Sequence, residues 1–219
     1  MLFVDGIKTE RKKNKMIAFV MWHRPPIGFD DEVYRKHLFE FHQSLADKKP
    51  KGFVSSHVFR TSYAHCLPNR GDAYEDWFIL KDSSGLDGIN EAILERNSRI
   101  GHDPLAQHAR DEATAIYRFR GGDSEIESAR YALWLSKPED VHHLAFLDAL
   151  KCALRGCHGS AWTSQLGLSP TAEFCLLVPR PMRFHDDIHT IEPLRSIWPE
   201  REAEEALSQD LPPFGIQLA

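Results

Sequence analysis

Two stretches of the chain follow one plan, and that plan narrows the available folds more than any other feature. In residues 16–60, and again in 130–166, an apolar strand leads through a turn into an amphipathic helix, then a glycine-containing loop and a second strand. A strand–helix–strand unit that recurs points to a duplicated α+β architecture. Each sheet buries one face under its own helices and needs a second cover for the other, so the two units are expected to face one another.

The first stretch opens with residues 16–23 (MIAFVMWH), a near-continuous apolar run bounded by Pro25 and Pro26, as for a strand buried on both faces. Asp30 or Asp31 can cap the next helix, whose apolar stripe is Tyr34, Leu38, Phe41 and Leu45. Residues 53–63 alternate, with Ser55, His57, Phe59 and Thr61 on one face. A third strand over 74–81, a helix from Ser84 broken at Gly101, a short helix restarted at Asp103-Pro104 and a strand over 113–119 complete the order β-α-β-β-α-β, which is ferredoxin-like. The second unit begins with 131–135 (YALWL), where Trp134 is placed like Trp22. Ser136 and Glu139 form an S-x-x-E capping box before a helix carrying Leu144, Leu147, Leu150 and Leu154. Strands over 159–166 and 174–178, a helix over 186–197, an acidic surface helix over 200–208 and a short strand over 215–218 are expected to follow. The resulting organisation is a surface arm (1–15), a first repeat (16–122) and a second repeat (129–219).

Composition bounds the function classes. A net charge of −5 offers no basic footprint for nucleic acid. The four cysteines form no CxxC pair and fit a reduced, cytoplasmic protein. No apolar run approaches the ~20 residues of a membrane span. The expected partner is a small-molecule ligand, with neither nucleic acid nor membrane, and the chain is expected to be a monomer or a homo-oligomer.

The duplicated pattern resembles the dimeric α/β-barrel superfamily, in which two ferredoxin-like sheets pair face to face and one chain can supply both halves. The segment running from Tyr34 through His37 and Phe41 to His42 is similar to the first helix of EthD-type members, which carry an aromatic and then a histidine there. The resemblance implies two ferredoxin-like repeats forming a pseudo-dimeric barrel. It also implies a range of activities, among them cofactor-free oxygenases, lyases, cyclases and haem-handling enzymes, so fold alone assigns none of them.

Three histidines are candidates for acid/base chemistry: His42 at the edge of the helix stripe, His57 on the alternating strand, and His23 at the end of the first strand. Each also has a structural reading, as a hydrogen-bonded core or boundary residue, and that reading is the more common one for a histidine in such a position. His42 and His57 can meet only if His42 points past the stripe toward the sheet, and the second unit has no matching pair. His185 and His189 stand four apart with Asp186, Asp187 and Glu192 nearby, a spacing suited to a metal on a helix or to an exposed polar helix start; no metal site is assigned. Trp22, Trp77, Trp134 and Trp162 fall in strands, as a platform for a flat ligand or as core. There is no nucleophile elbow, phosphate loop or dinucleotide fingerprint. The leading expectation is a cofactor-independent enzyme of oxygenase, lyase or cyclase type with a histidine acid/base in an apolar pocket. Haem binding or degradation through a helix histidine, and a non-catalytic barrel filled by side chains, are the alternatives.

Overall fold

The structure is a computed structural model that describes residues 15–94, 110–184, 189–199 and 215–216. Its elements are β1 (Ile17–Arg24), α1 (Asp31–Lys48), β2 (Phe53–Thr61), β3 (Ala73–Leu80), α2 (Gly85–Leu94), β4 (Arg110–Gly122), β5 (Tyr131–Leu135), α3 (His143–Ala153), β6 (Ser160–Gly167), β7 (Phe174–Val178), β8 (Arg183–Phe184), β9 (His189–Pro193), β10 (Arg195–Trp198) and β11 (Gly215–Ile216). Among the described residues no helix is long and apolar enough to cross a membrane.

Nine of the strands form one sheet in the order β10-β2-β3-β1-β4-β6-β7-β5-β9, every neighbouring pair antiparallel. Within it, β2-β3-β1-β4 and β6-β7-β5-β9 repeat the same ferredoxin-like order, which is the duplication expected from the sequence. The β4–β6 pair welds the two units into one sheet. Only Leu194 separates β9 from β10, so the two ends of the strand order are one stretch of chain, which pairs with β5 on one side and with β2 on the other. That stretch nearly closes the sheet into a barrel and, among the described residues, leaves it no long free edge. Gly122 permits the weld: its φ of +88° is left-handed, and a Cβ there would lie 2.1 Å from the Gly159 carbonyl oxygen.

The alternation of each strand divides the side chains between two environments. Ala18, Val20, Trp22, Phe59, Trp77, Ile79, Tyr117, Trp134, Trp162 and Leu177 turn into the barrel. Ile17, Tyr34, Leu38, Phe41, Leu45, Val58, Tyr74 and Phe78 pack between α1, α2 and the outer face of the first unit. Leu133, Leu135, Phe146, Leu150, Phe174 and Leu176 do the same under α3 in the second. Asp30 caps α1, its carboxylate accepting from the backbone N–H groups of Glu32 and Val33.

Two expectations are corrected. Residues 186–197 do not form a helix: 189–193 and 195–198 are strands. β5 and β2 each present an open edge of N–H and C=O groups, and pairing those edges outweighs any local helical spacing. Ser136 does not cap α3, because Pro138 starts a turn in which the Val141 N–H donates to the Pro138 carbonyl, and the helix begins only at His143. His142 caps it instead, Nδ1 accepting from the Leu144 N–H at 3.3 Å. The arm over 1–14, the short helix at 103–109, the acidic helix over 200–208, and His185, Asp186 and Asp187 lie outside the described residues.

Candidate functional site

His23 and His42 arrive at one carboxylate from different elements. The pleat of β1 turns His23 to the outer face of the sheet, α1 turns His42 down onto the same face, and β3 presents Asp76 between them. His23 Nε2 lies 3.1 Å and His42 Nε2 3.4 Å from the same oxygen, Asp76 Oδ2. All three are buried, His42 at 0% exposure. The Tyr34 hydroxyl lies 2.7 Å from the other nitrogen of His23, Nδ1. One proton arrangement of His23 meets both contacts: Nε2–H donates to Asp76 while Nδ1 accepts from the Tyr34 O–H. His42 Nδ1 is buried and has no hydrogen-bond partner among the described residues. Burial alone would raise the Asp76 carboxyl, but attraction to His23 and hydrogen bonds from His23 and His42 overcome it and hold Asp76 well below the usual carboxylate range. Burial, then the negative charge on Asp76, raises Tyr34 far above an ordinary phenol, so it stays protonated.

The cluster is walled by rings. Phe78 lies flat on His42, centroids 5.1 Å apart and planes 8° from parallel. Phe41 and Trp198 approach the same imidazole at 5.5 and 6.3 Å, and Tyr74 stacks on His23 at 5.7 Å. Trp198 reaches the cluster from β10 and also contacts Phe39 on α1. A haem with His42 as axial ligand does not fit this arrangement. Phe78 lies on one face of the ring, Nε2 faces Asp76, and both ring nitrogens are buried, which leaves no room for an iron and its macrocycle beside either.

His57 is elsewhere. Its strand face turns into the barrel, where Nε2 lies 3.0 Å from Ser55 Oγ and the ring packs on Phe59. His42 and His57 therefore sit on opposite faces of the sheet and do not meet. His189 opens β9, and among the described residues no group of three or more His, Cys, Asp or Glu is placed to hold a metal ion.

The four strand tryptophans fill the barrel. Trp22–Trp134, Trp77–Trp162 and Trp77–Trp134 are in ring contact at 5.3, 5.5 and 6.2 Å, with Tyr117 against three of them. Two carboxyl groups lie among these rings, Glu75 and Glu192, each at 0% exposure. Trp77 Nε1 donates to Glu75 Oε1 at 2.5 Å, and Trp134 Nε1 to Glu192 Oε2 at 2.8 Å. The backbone N–H of His65 also donates to Glu192, and the His65 ring lies on Trp134 at 4.3 Å.

Sequence reading missed Asp76 and Glu75, and considered Glu192 only as an oxygen donor beside the His185 and His189 spacing. The first two sit in the run Tyr74-Glu75-Asp76-Trp77, where two acids interrupt an otherwise apolar strand. Consecutive acids flanked by aromatics in a strand put one carboxyl on each face, and that was the available signal.

No family model matches the chain, and no curated protein matches it in sequence. Solved structures do share its fold. A proposed monooxygenase from Fusobacterium nucleatum matches with a TM-score of 0.52 at 12% identity, over 74% of this chain and 74% of its own. Another proposed monooxygenase, from Lactobacillus acidophilus, matches at 0.51 and 8% identity, over 83% of this chain and 94% of its own. SnoaB, a cofactor-independent oxygenase from Streptomyces nogalater, aligns with 51% of this chain and 99% of its own at 13% identity, with a TM-score of 0.37 that carries no argument. At these identities the likeness is one of fold: the chain has the dimeric α/β-barrel architecture of paired ferredoxin-like units.

Proposed function

We propose that the protein is a small-molecule enzyme in which His42, on Asp76 and beside His23, is the acid/base. The observation that carries this reading is the convergence of two histidines on one oxygen of a buried carboxylate, with Tyr34 holding the far side of His23. His42 Nδ1 takes a proton from an activated substrate, Asp76 stabilises the imidazolium that forms, and the His23–Tyr34 pair keeps Asp76 oriented. The aromatic walls favour a flat, hydroxylated aromatic or polyketide-like substrate, of the kind cofactor-independent oxygenases, lyases or cyclases deprotonate. Trp198, on β10, lies against His42, and a substrate would have to displace it to reach the imidazole. Within the superfamily, the Tyr34–His42 segment supports placement beside EthD-type members. The four free thiols support a cytoplasmic setting. We take 16–122 and 129–219 as the units of duplication and a small molecule as the partner.

Oxygen uptake and absorbance, measured with a panel of hydroxylated polycyclic aromatics, test the reading. His42→Gln, which keeps the volume and a hydrogen bond, should lower kcat by about a hundredfold or more, within the usual worth of a general base. His57→Gln should leave it unchanged. Full turnover by both His42→Gln and His23→Gln overturns the proposal.

A second reading has its own observation. The barrel interior is occupied by ring-on-ring contacts, as in a fold whose cavity is simply core. It predicts that no member of the panel binds or turns over.

A further inference from the structure

We propose that the outer face of β4, at the seam between the two units, is a seat for a fatty-acid-like carboxylate, its head on Arg120 beside Arg118 and its tail along Phe19, Ile116 and Leu166. Alternation along β4 turns Ala113, Ala115, Tyr117 and Phe119 into the barrel, and Thr114, Ile116, Arg118 and Arg120 outward. The four outward side chains are only half-buried, whereas Ile17 on β1 and Ala161 on β6, to either side of them, are fully covered. The helix layers of the two units thus leave a strip partly open between them.

One end of the strip is basic. Arg120 Nε donates to Thr163 Oγ1 at 2.7 Å, and Arg118 Nε donates to Gln165 Oε1 at 2.9 Å. Among the described residues the buried Thr163 hydroxyl is the hydrogen-bond partner of Arg120, and no carboxylate pairs with it. Arg24 and Arg60 show the alternative: Arg24 meets Asp111, and Arg60 meets Asp31 and Asp72. Arg120 instead stands beside a like charge, and burial, then the charge of Arg118, lowers it from its ordinary value. It remains a cation, as arginine does in proteins. Its Nη groups are left for an anion, which a guanidinium binds through two parallel N–H donors. Lys151 on α3 adds positive charge nearby: a Cβ on Gly121 would lie 3.6 Å from its Cγ. Asp148, 3.4 Å from Lys151 Nζ, offsets part of that charge.

The other end is apolar. Ile116 stands opposite Phe19 on β1 and opposite Leu166 on β6. Phe19 and Ile116 are half-buried, and Leu166 is 52% exposed. Four residues of strand, about 13 Å, separate Ile116 from Arg120. This layout selects the ligand class. A single carboxylate suits the arginine end, and an alkyl tail covers the apolar side chains that the strip otherwise leaves to water. Inorganic phosphate would leave those side chains bare, and a polyanion would meet a protein of net charge −5. Phe19 touches Phe78 at 6.0 Å, so the seat lies on the far side of that ring pair from His42, and it does not depend on the function proposed above.

Isothermal titration of the whole protein with decanoate, kept below its micelle concentration, tests the seat. Decanoate should bind, and added salt should weaken it. Decyltrimethylammonium, which has the same tail and the opposite charge, should not bind; this comparison uses the wild type alone. Arg120→Gln should weaken decanoate about tenfold or more, as for loss of a charged hydrogen bond. Leu166→Gln, at an exposed position, should weaken it about fivefold through lost apolar cover. No binding of decanoate, equal binding of the cation, or unchanged affinity in Arg120→Gln overturns the proposal. Retention on anionic phospholipid vesicles without binding of free decanoate overturns it as well, in favour of a lipid surface. None of these measurements reads turnover, so the acid/base reading stands or falls separately.

Discussion

The outer face under α1 and the outer face under α3 are the same architecture with different contents. When the units are aligned on Trp22 and Trp134, the β1–β3 and β5–β7 registers set His23 against Leu135, Tyr74 against Phe174 and Asp76 against Leu176. Under α1 the helix adds Tyr34 and His42, and under α3 it adds Phe146 and Leu150. The second face shows what this layer needs in order to fold, which is aliphatic and aromatic packing alone. The polar cluster of the first face is therefore surplus to folding. Buried ionic groups replaced by apolar residues of similar volume are often neutral or stabilising, so the cluster is a cost that packing does not require.

Removing one member of the cluster should have the largest effect. Asp76→Ala leaves two buried histidines facing no counter-charge and a hole beneath α1. We expect about 3–5 kcal/mol of destabilisation in urea unfolding, the usual result of breaking a buried pair from one side. A loss below about 1 kcal/mol would mean that the cluster is not coupled as its geometry indicates.

Converting the first face into the second should act in the opposite direction. The triple variant His23→Leu, His42→Leu, Asp76→Leu reproduces the apolar logic of α3 and should be neutral or gain about 1–4 kcal/mol, while losing any activity. A triple variant less stable than Asp76→Ala would show that the polar cluster is itself structural. The variant should also differ in acid. Asp76 is held below its ordinary 3.8, so its contribution is complete above that value and is lost as pH falls further. The triple variant lacks that loss and should resist acid unfolding better.

The smallest effect is expected at Tyr34→Phe. It removes the O–H at 2.7 Å from His23 Nδ1 and keeps the ring. The orphaned imidazole nitrogen should cost about 1–2 kcal/mol. If His23 only orients Asp76, kcat should fall modestly and KM should hold.

β3 carries the same lesson within two residues. Glu75 and Asp76 are neighbours in sequence and both are buried, yet Glu75 is raised and Asp76 is lowered. The pleat sends one into a barrel of indoles and thiols and the other between two histidines. Removing His42 also shows where packing intervenes. A catalytic histidine chosen without regard to packing would be replaceable by Ala at little stability cost. This one lies flat on Phe78 at 0% exposure, so His42→Ala should carry a cavity penalty, and Gln is the cleaner probe.

The repeated strand–helix–strand plan, the helix stripe of Tyr34, Leu38, Phe41 and Leu45, and the strand tryptophans were all determined by sequence alone. Their signal is local periodicity, and the burial it encodes is met within each unit. Which faces those residues occupy was decided by the tertiary structure. His42 and His57 look equivalent as polar residues at apolar edges, but a sheet one residue thick separates them. Residues 189–198 carry no strong local preference and became strands because β5 and β2 offered them unpaired edges. Asp76 gained its role from His23, 53 residues away, and Glu192 gained its place from the His65 N–H, 127 residues away. Contacts at such separation leave no periodic trace in a chain, because they are selected by closure of the barrel and not by the propensity of any segment.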